Sequence, residues 1–244
     1  MRKFNSLAAT FAASVVGLSI IGTVSQAQAA SIVPSTEGEV KLTNLTCFTA
    51  TCVAPSGYTV KSHTLSGVYG KSYLFVDKTG ANTYNGVGAG NLGFSINFDA
   101  NDIGTNNSNN DTWFRPVARE TNGTFPEDGQ FEYGIFTFTF DNILDTLKLS
   151  FLDTEKPGTS VLEVNGVAYA NGNIAAGPND NIQLLSLTNV KSFKVKLGSS
   201  TGTSKDGVLL QASVPEPTNV LGLSALGVAG VFALRKGKKA SIVA

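Results

Sequence analysis

From residue 38 to residue 212 apolar and polar side chains alternate in short runs, and this period of two constrains the fold more than any other feature. Phe136, Phe138 and Phe140 alternate with Thr137 and Thr139. Leu147, Leu149 and Phe151 alternate with Lys148 and Ser150. Phe193, Val195 and Leu197 alternate with Lys194 and Lys196, and Leu92, Phe94, Ile96 and Phe98 form a fourth run. On a pleated strand successive side chains point to opposite faces, so each run buries one set and leaves the other in water. Phe, Val and Thr also suit a pleated surface. Asn165-Gly166, between apolar runs at 161–164 and 167–170, reads as a two-residue hairpin. Asp128-Gly129 and Asp206-Gly207 read as further turns. No stretch carries a sustained, capped helical period, and no internal repeat suggests a propeller. The expected fold is all-β: an antiparallel β-sandwich, jelly-roll-like. Phe94, Ile96, Phe138, Leu149, Phe151, Val195 and Leu197 should face one interior. Helices are expected only at the two ends of the chain.

Those ends are written differently. Arg2 and Lys3 precede a stretch with no charge before Glu37, and residues 7–24 are apolar. Ala27-Gln28-Ala29 follows, with small residues where a signal peptidase has shallow subsites, so cleavage is expected before Ala30. A permanent N-terminal anchor is the alternative, and the small-residue signature argues against it. At the other end, Val214-Pro215-Glu216-Pro217 leads into residues 218–234, which carry no charge, and then Arg235-Lys236-Gly237-Lys238-Lys239. Seventeen residues of helix span about 26 Å, just short of a bilayer core of about 30 Å. Ala225, Ala229 and Ala233 recur every four residues, a small-residue stripe that admits close approach of another helix. The basic cluster should stay cytoplasmic, which leaves the rest of the chain outside. A buried core helix is the alternative; the terminal basic cluster disfavours it. The chain thus divides into a signal peptide (1–29), a β domain (30–213) and a tail (214–244).

The tail's three parts resemble the PEP-CTERM sorting proteins of Gram-negative bacteria, many of them cyanobacterial. The resemblance rests on Val214, Pro215, Glu216 and Pro217, the apolar span, and Arg235 with Lys236. It implies recognition by an exosortase, a membrane-embedded protease that removes such tails. It also implies transient anchoring in the inner membrane and delivery to the cell surface, outer membrane or extracellular matrix, alongside exopolysaccharide. Residues 240–244 extend beyond the usual end of such tails. Leu162-Glu163-Val164 resembles the motif of a cyanobacterial LEVG subgroup, with Asn165 standing where the glycine would be. Because the tail implies a bacterium, the four Asn-x-Ser/Thr matches carry no weight.

Charge and cysteines narrow the function classes. The whole chain is formally neutral, but residues 30–213 hold 12 Lys and Arg against 17 Asp and Glu, a net of −5. An acidic domain repels phosphate backbones, so nucleic acid is not an expected partner. Cys47 and Cys52 are the two cysteines. In an oxidising compartment an even count favours a disulfide, with two free thiols as the alternative. His63 is the lone histidine and cannot complete a Cys/His zinc site.

Candidate sites are few. Asp153 and Glu155 lie two apart after the run ending at Phe151, and period two would aim both at one face. A solvated strand end, a calcium site at the rim and a general acid/base pair all fit. The polar run 99–111 reads as a surface loop with a second, irregular oxygen-rich option for calcium; Ile103 and Asn110 exclude an EF-hand there. Trp113-Phe114 reads as core, with a sugar-stacking platform as the alternative. No Gly-x-Ser-x-Gly elbow, His-Glu-x-x-His helix or phosphate-cradling glycine loop occurs. A carboxylate-pair glycosidase is the enzyme class the composition leaves open.

The expected protein is an exported cell-surface or matrix component, cut by signal peptidase and sorted by an exosortase. It is expected to be non-catalytic, with affinity for extracellular polysaccharide, and to need no cofactor apart from calcium. A purely structural or adhesive subunit and a secreted glycoside hydrolase are the two alternatives.

Overall fold

A computed structural model describes residues 30–78, 80–86, 95–98, 112–200 and 209–214. The signal segment with Ala27 and Ala29, the tail from Pro215 onward with Glu216, Pro217, Arg235 and Lys236, the loop 99–111, the Asp206-Gly207 turn, and Leu92 and Phe94 lie outside the described residues. So do both expected terminal helices. Among the described residues no helix is long and apolar enough to cross a membrane.

The described chain is mostly antiparallel β-sheet, with parallel bridges only at Val40–Val53 and Leu42–Val60. Its strands are β1 (Ala30–Ser31), β2 (Gly38–Glu39), β3 (Tyr58–Ser62), β4 (Tyr73–Asp77), β5 (Asn82–Asn85), β6 (Ser95–Phe98), β7 (Trp113–Val117), β8 (Gly134–Leu152), β9 (Ser160–Val164), β10 (Val167–Ala168), β11 (Ile182–Leu197) and β12 (Leu209–Val214). The one helical element among them is a 3-10 turn at Pro126–Gly129, the place of the expected Asp128-Gly129 turn. Its backbone takes left-handed angles at Glu127, Asp128 and Gly129.

Ten strands form one sheet in the order β10-β9-β11-β8-β12-β7-β4-β2, with β3 also on β8 and β1 also on β12; β5 and β6 make a separate hairpin. Two long strands organise the sheet. β8 and β11 pair along their length, with an irregularity between Val190 and Ser192. The first part of β8 carries β3 on its free flank, Tyr58 to Ser62 opposite Phe140 to Phe136. Its last part carries β12, Leu209 to Ser213 opposite Leu152 to Lys148. One strand thereby belongs to two wings. The ring of Phe114 on β7 comes within 5.4 Å of Phe138 on β8, so side chains from the two wings meet in the core.

The period-two reading holds residue by residue in the runs of β8 and β11. Phe136, Phe138, Phe140, Leu147, Leu149, Phe151, Phe193, Val195 and Leu197 are buried in one cluster. Ile96 is a correction: it is buried, but in a second cluster with Tyr73, Phe75, Phe98, Val117 and Phe125. The reason is that β4 and β7 are buried on both faces. Leu74, Val76 and Phe114 face the main core, whereas Tyr73, Phe75 and Val117 face the layer that contains β6. Both strands are buried along their whole length because neither side meets water, and the charges they carry, Asp77 and Arg115, are buried with them.

The Asn165-Gly166 hairpin forms as expected, with φ of 54° and 77° at its two corners and Val164 opposite Val167. Asn165 does more than turn the chain. Its side-chain oxygen accepts the amides of Lys191 and Ser192 at 2.7 and 3.0 Å, and its Nδ2 donates to the Asn189 carbonyl at 2.8 Å. It thus fills the irregular stretch of β11 with hydrogen bonds that a glycine there could not supply.

Candidate binding site

The first and last described strands lie side by side. Ala30 is opposite Val214 and Ser31 opposite Ser213. Val214, read from the sequence as the first residue of the tail, is therefore the last residue of β12. Beside this junction lies a groove of about 290 Å³ lined by Ser31, Ser35, Thr112, Ser150, Gln211 and Ser213, with Val33 and Ala212. Among the described residues no charged side chain lines it. The Gln211 amide donates to the Thr112 carbonyl at 3.3 Å, and Ser31 Oγ accepts the Val33 amide at 3.1 Å. Hydroxyl and amide groups can both donate and accept, so such a wall suits a neutral, hydroxyl-bearing ligand better than an ion. Sequence reasoning missed the groove. Alternation marks Ser150, Gln211 and Ser213 only as solvent-side residues, and pairing across the length of the domain brings them to Ser31.

Asp153 and Glu155 are not on a common strand face. β8 ends at Leu152, and Asp153 has a left-handed φ of 55°, so period two stops before the pair. Asp153 Oδ1 accepts the Asp180 amide at 2.8 Å, and the Glu155 amide donates to the Asp153 carbonyl at 3.0 Å. Asp153 thereby ties the end of β8 to the loop before β11. Among the described residues no third carboxylate, histidine or cysteine joins the pair within reach of a single ion.

Trp113 and Phe114 are both buried, so the sugar-stacking platform does not exist and the core reading is the right one. Trp113 packs with Leu152 in a small cluster of its own. His63 is half-buried, with Nε2 2.8 Å from Thr137 Oγ1. Burial, then the nearby Lys194 and Lys61, hold its imidazole below the usual range, so the ring stays neutral at pH 7.

Cys47 and Cys52 form a disulfide. Glu39 sits beside it, 2 % exposed, and its carboxylate accepts the Phe48 amide at 2.8 Å, the Thr49 amide at 2.7 Å and the Thr49 hydroxyl at 2.9 Å. Glu39, Cys47 and Cys52 are close enough to share an ion, but sulfurs bonded to each other offer no free thiolate to a metal. The closed loop spans a separation of only 5 residues, and a loop this short constrains the unfolded chain by about 2 kcal/mol. Glu39 already pins the same segment. Replacing Cys47 with alanine is therefore expected to cost no more than about 2 kcal/mol. Thermal unfolding with and without reductant measures it, and the reduced wild type should match the variant.

Glu39 also has a pH signature. Burial raises its carboxyl above the ordinary 4.5, and the three hydrogen bonds only partly offset this. The folded chain then holds the proton to higher pH than the unfolded chain. Stability from this group is fully present below the unfolded value and is lost as pH rises through the folded one. Relative to Glu39→Gln, the wild type should lose stability over the interval that rises from the ordinary carboxyl value of 4.5, measured as the difference between two denaturation series. A constant difference across that interval would refute the assignment.

No protein-family model matches this chain, and neither the curated proteins nor the solved structures hold a match to it.

Proposed function

We propose that this chain is an exported, non-catalytic surface or matrix protein of the PEP-CTERM kind, and that its mature domain binds neutral extracellular polysaccharide. We read the two wings of the sheet as the layers of a β-sandwich. The observation that carries the export reading is the meeting of Ala30 with Val214. Ala30 directly follows the expected signal-peptidase cut and Val214 directly precedes Pro215, so the pairing brings the two expected processing points side by side. β12 pairs with β8, β7 and β1, so the sheet cannot close until residue 214 has crossed the membrane.

The groove beside that junction, whose described lining carries no charge, supports the polysaccharide reading. Its hydroxyls and the Gln211 amide match the exchangeable donors and acceptors of a neutral sugar. Asp153 and Glu155 are the first calcium candidates and the 99–111 loop the second. Intact-mass measurement of protein recovered from the cell surface tests the export reading. The expected product starts at Ala30 and ends between Val214 and Pro217; retention of Met1 or of residues beyond Leu234 would refute it. Titrating residues 30–214 with the host's exopolysaccharide, with calcium and with chelator, tests the ligand. Absence of binding in both conditions leaves the structural or adhesive subunit, and release of reducing ends would establish the hydrolase.

A further inference from the structure

The cover along the outer edge of β11 stops partway. From Lys196 to Phe193 the edge is laddered to β9, Ser160 to Val164. From Ser192 to Asn189 the Asn165 backbone and side chain occupy it. From Thr188 back to Ile182 the strand pairs with β8 on one side, and no described strand pairs with it on the other. Alternate residues there direct an N–H and a C=O away from the sheet. Seven residues at about 3.4 Å each make an open edge of roughly 24 Å. Of the other sheet margins, β10, β2 and β1 have two residues each, and the five-residue β3 is bridged on its outer side by Leu42 and Thr43.

Proteins usually blunt such an edge with lysine, proline or a bulge. The run Ile182-Gln183-Leu184-Leu185-Ser186-Leu187-Thr188 has none of these and no charge; the lysines of β11 are all in its covered part, at 191, 194 and 196. It also presents large apolar side chains to water. Leu184 is 76 % exposed and Ile182 is 44 % exposed, and they are neighbours on one face. Leu185, on the opposite face, packs against the main core.

We propose that this edge pairs with the same edge of a second copy of the chain, antiparallel about a two-fold axis, to make one continuous sheet. The occupant follows from the sequence of the edge. A strand related to itself by a two-fold axis must tolerate each residue opposite its own mirror position, and an uncharged run meets no like charge there. Such a pairing keeps outer faces together. Centred on Leu185, it sets Leu184 opposite Ser186 of the other copy and brings the two Leu184 side chains within diagonal reach. It also continues the inner row through Leu185 of both copies. The inference goes beyond polysaccharide binding and stands on different residues from the groove.

Residues 30–214 carry every core cluster described above and close through β1 and β12, so they are the unit to measure. Sedimentation velocity across a dilution series should show a mass that doubles with concentration. Leu184→Lys and Ile182→Lys place charge on exposed positions, so the fold should persist with unchanged circular dichroism while the dimer is lost. Hydrogen exchange adds a local readout: the amides within 182–188 that point away from β8 should be protected in concentrated and not in dilute wild-type protein. A monomeric mass at every concentration would overturn the proposal. So would a dimer indifferent to both lysines, or outward amides in 182–188 that exchange alike at both concentrations.

Discussion

Replacing Arg115 with methionine is expected to destabilise the domain by about 3–5 kcal/mol, a large share of the roughly 5–15 kcal/mol that holds a domain of this size together. Arg115 on β7 is fully buried. Its guanidinium pairs with Asp77 on β4 at 3.1 Å and with Glu132, which precedes β8. The ring of Phe98 on β6 stacks over it with 4.3 Å from Cζ to the ring centre. Both carboxylates are buried too, so removing the cation strands two acids away from water. The loss comes from keeping those charges buried without the guanidinium rather than from the missing contact. Substituting Asp77, Arg115 and Glu132 together by apolar residues of similar volume should therefore recover most of the stability. Arg115→Lys should recover little, because an ammonium cannot reach two carboxylates and lie flat under Phe98. Denaturant unfolding of the three variants decides it. A single Arg115→Met change that costs less than about 1 kcal/mol would mean the triad is dispensable.

Phe138→Ala is expected to cost about 3–5 kcal/mol, near the top of that range. The Phe138 side chain is fully buried where the two wings meet. Its ring lies parallel to that of Phe193 at 4.8 Å, and Phe114 and Tyr58 approach it at 5.4 and 6.1 Å. These neighbours project from three other strands held by ladder hydrogen bonds, so the wall cannot collapse into the space left behind. Residual cavity volume sets where in the range a substitution falls. Phe138→Leu, which leaves a smaller void, should fall well below the alanine value. Urea midpoints at constant slope are the measurement. Equal costs for leucine and alanine would show that the site relaxes.

The core faces of β8 and β11 were legible because an alternating run has only one way to place its apolar side against a core. Phe136, Phe138, Leu149 and Val195 could be assigned one by one. The Asn165-Gly166 turn was legible for a similarly local reason, since both corners need left-handed backbone that these residues tolerate. Local signals stop at the ends of strands. Asp153 and Glu155 kept their spacing in sequence but lost their common face once Asp153 adopted a left-handed conformation. Trp113 read as core because a lone tryptophan more often packs inside than forms a platform, and its burial agrees.

What the sequence by itself determined is the class of the fold, the buried face of each long strand, the disulfide partners and the hairpin corner. All of these follow from spacing between near neighbours or from a pair with no competitor. Tertiary structure alone decided which strands are neighbours, and so decided the rest. Period two names a face but no partner. The division of β8 between β3 and β12, the two-sided burial of β4 and β7, the Asp77–Arg115–Glu132 cluster, the groove at Ser31 and Ser213, and the edge at 182–188 that no described strand covers each depend on pairings between segments far apart in the chain. Such pairings are fixed by how whole faces fit together, because backbone hydrogen bonds are alike for every residue and carry no address of their own.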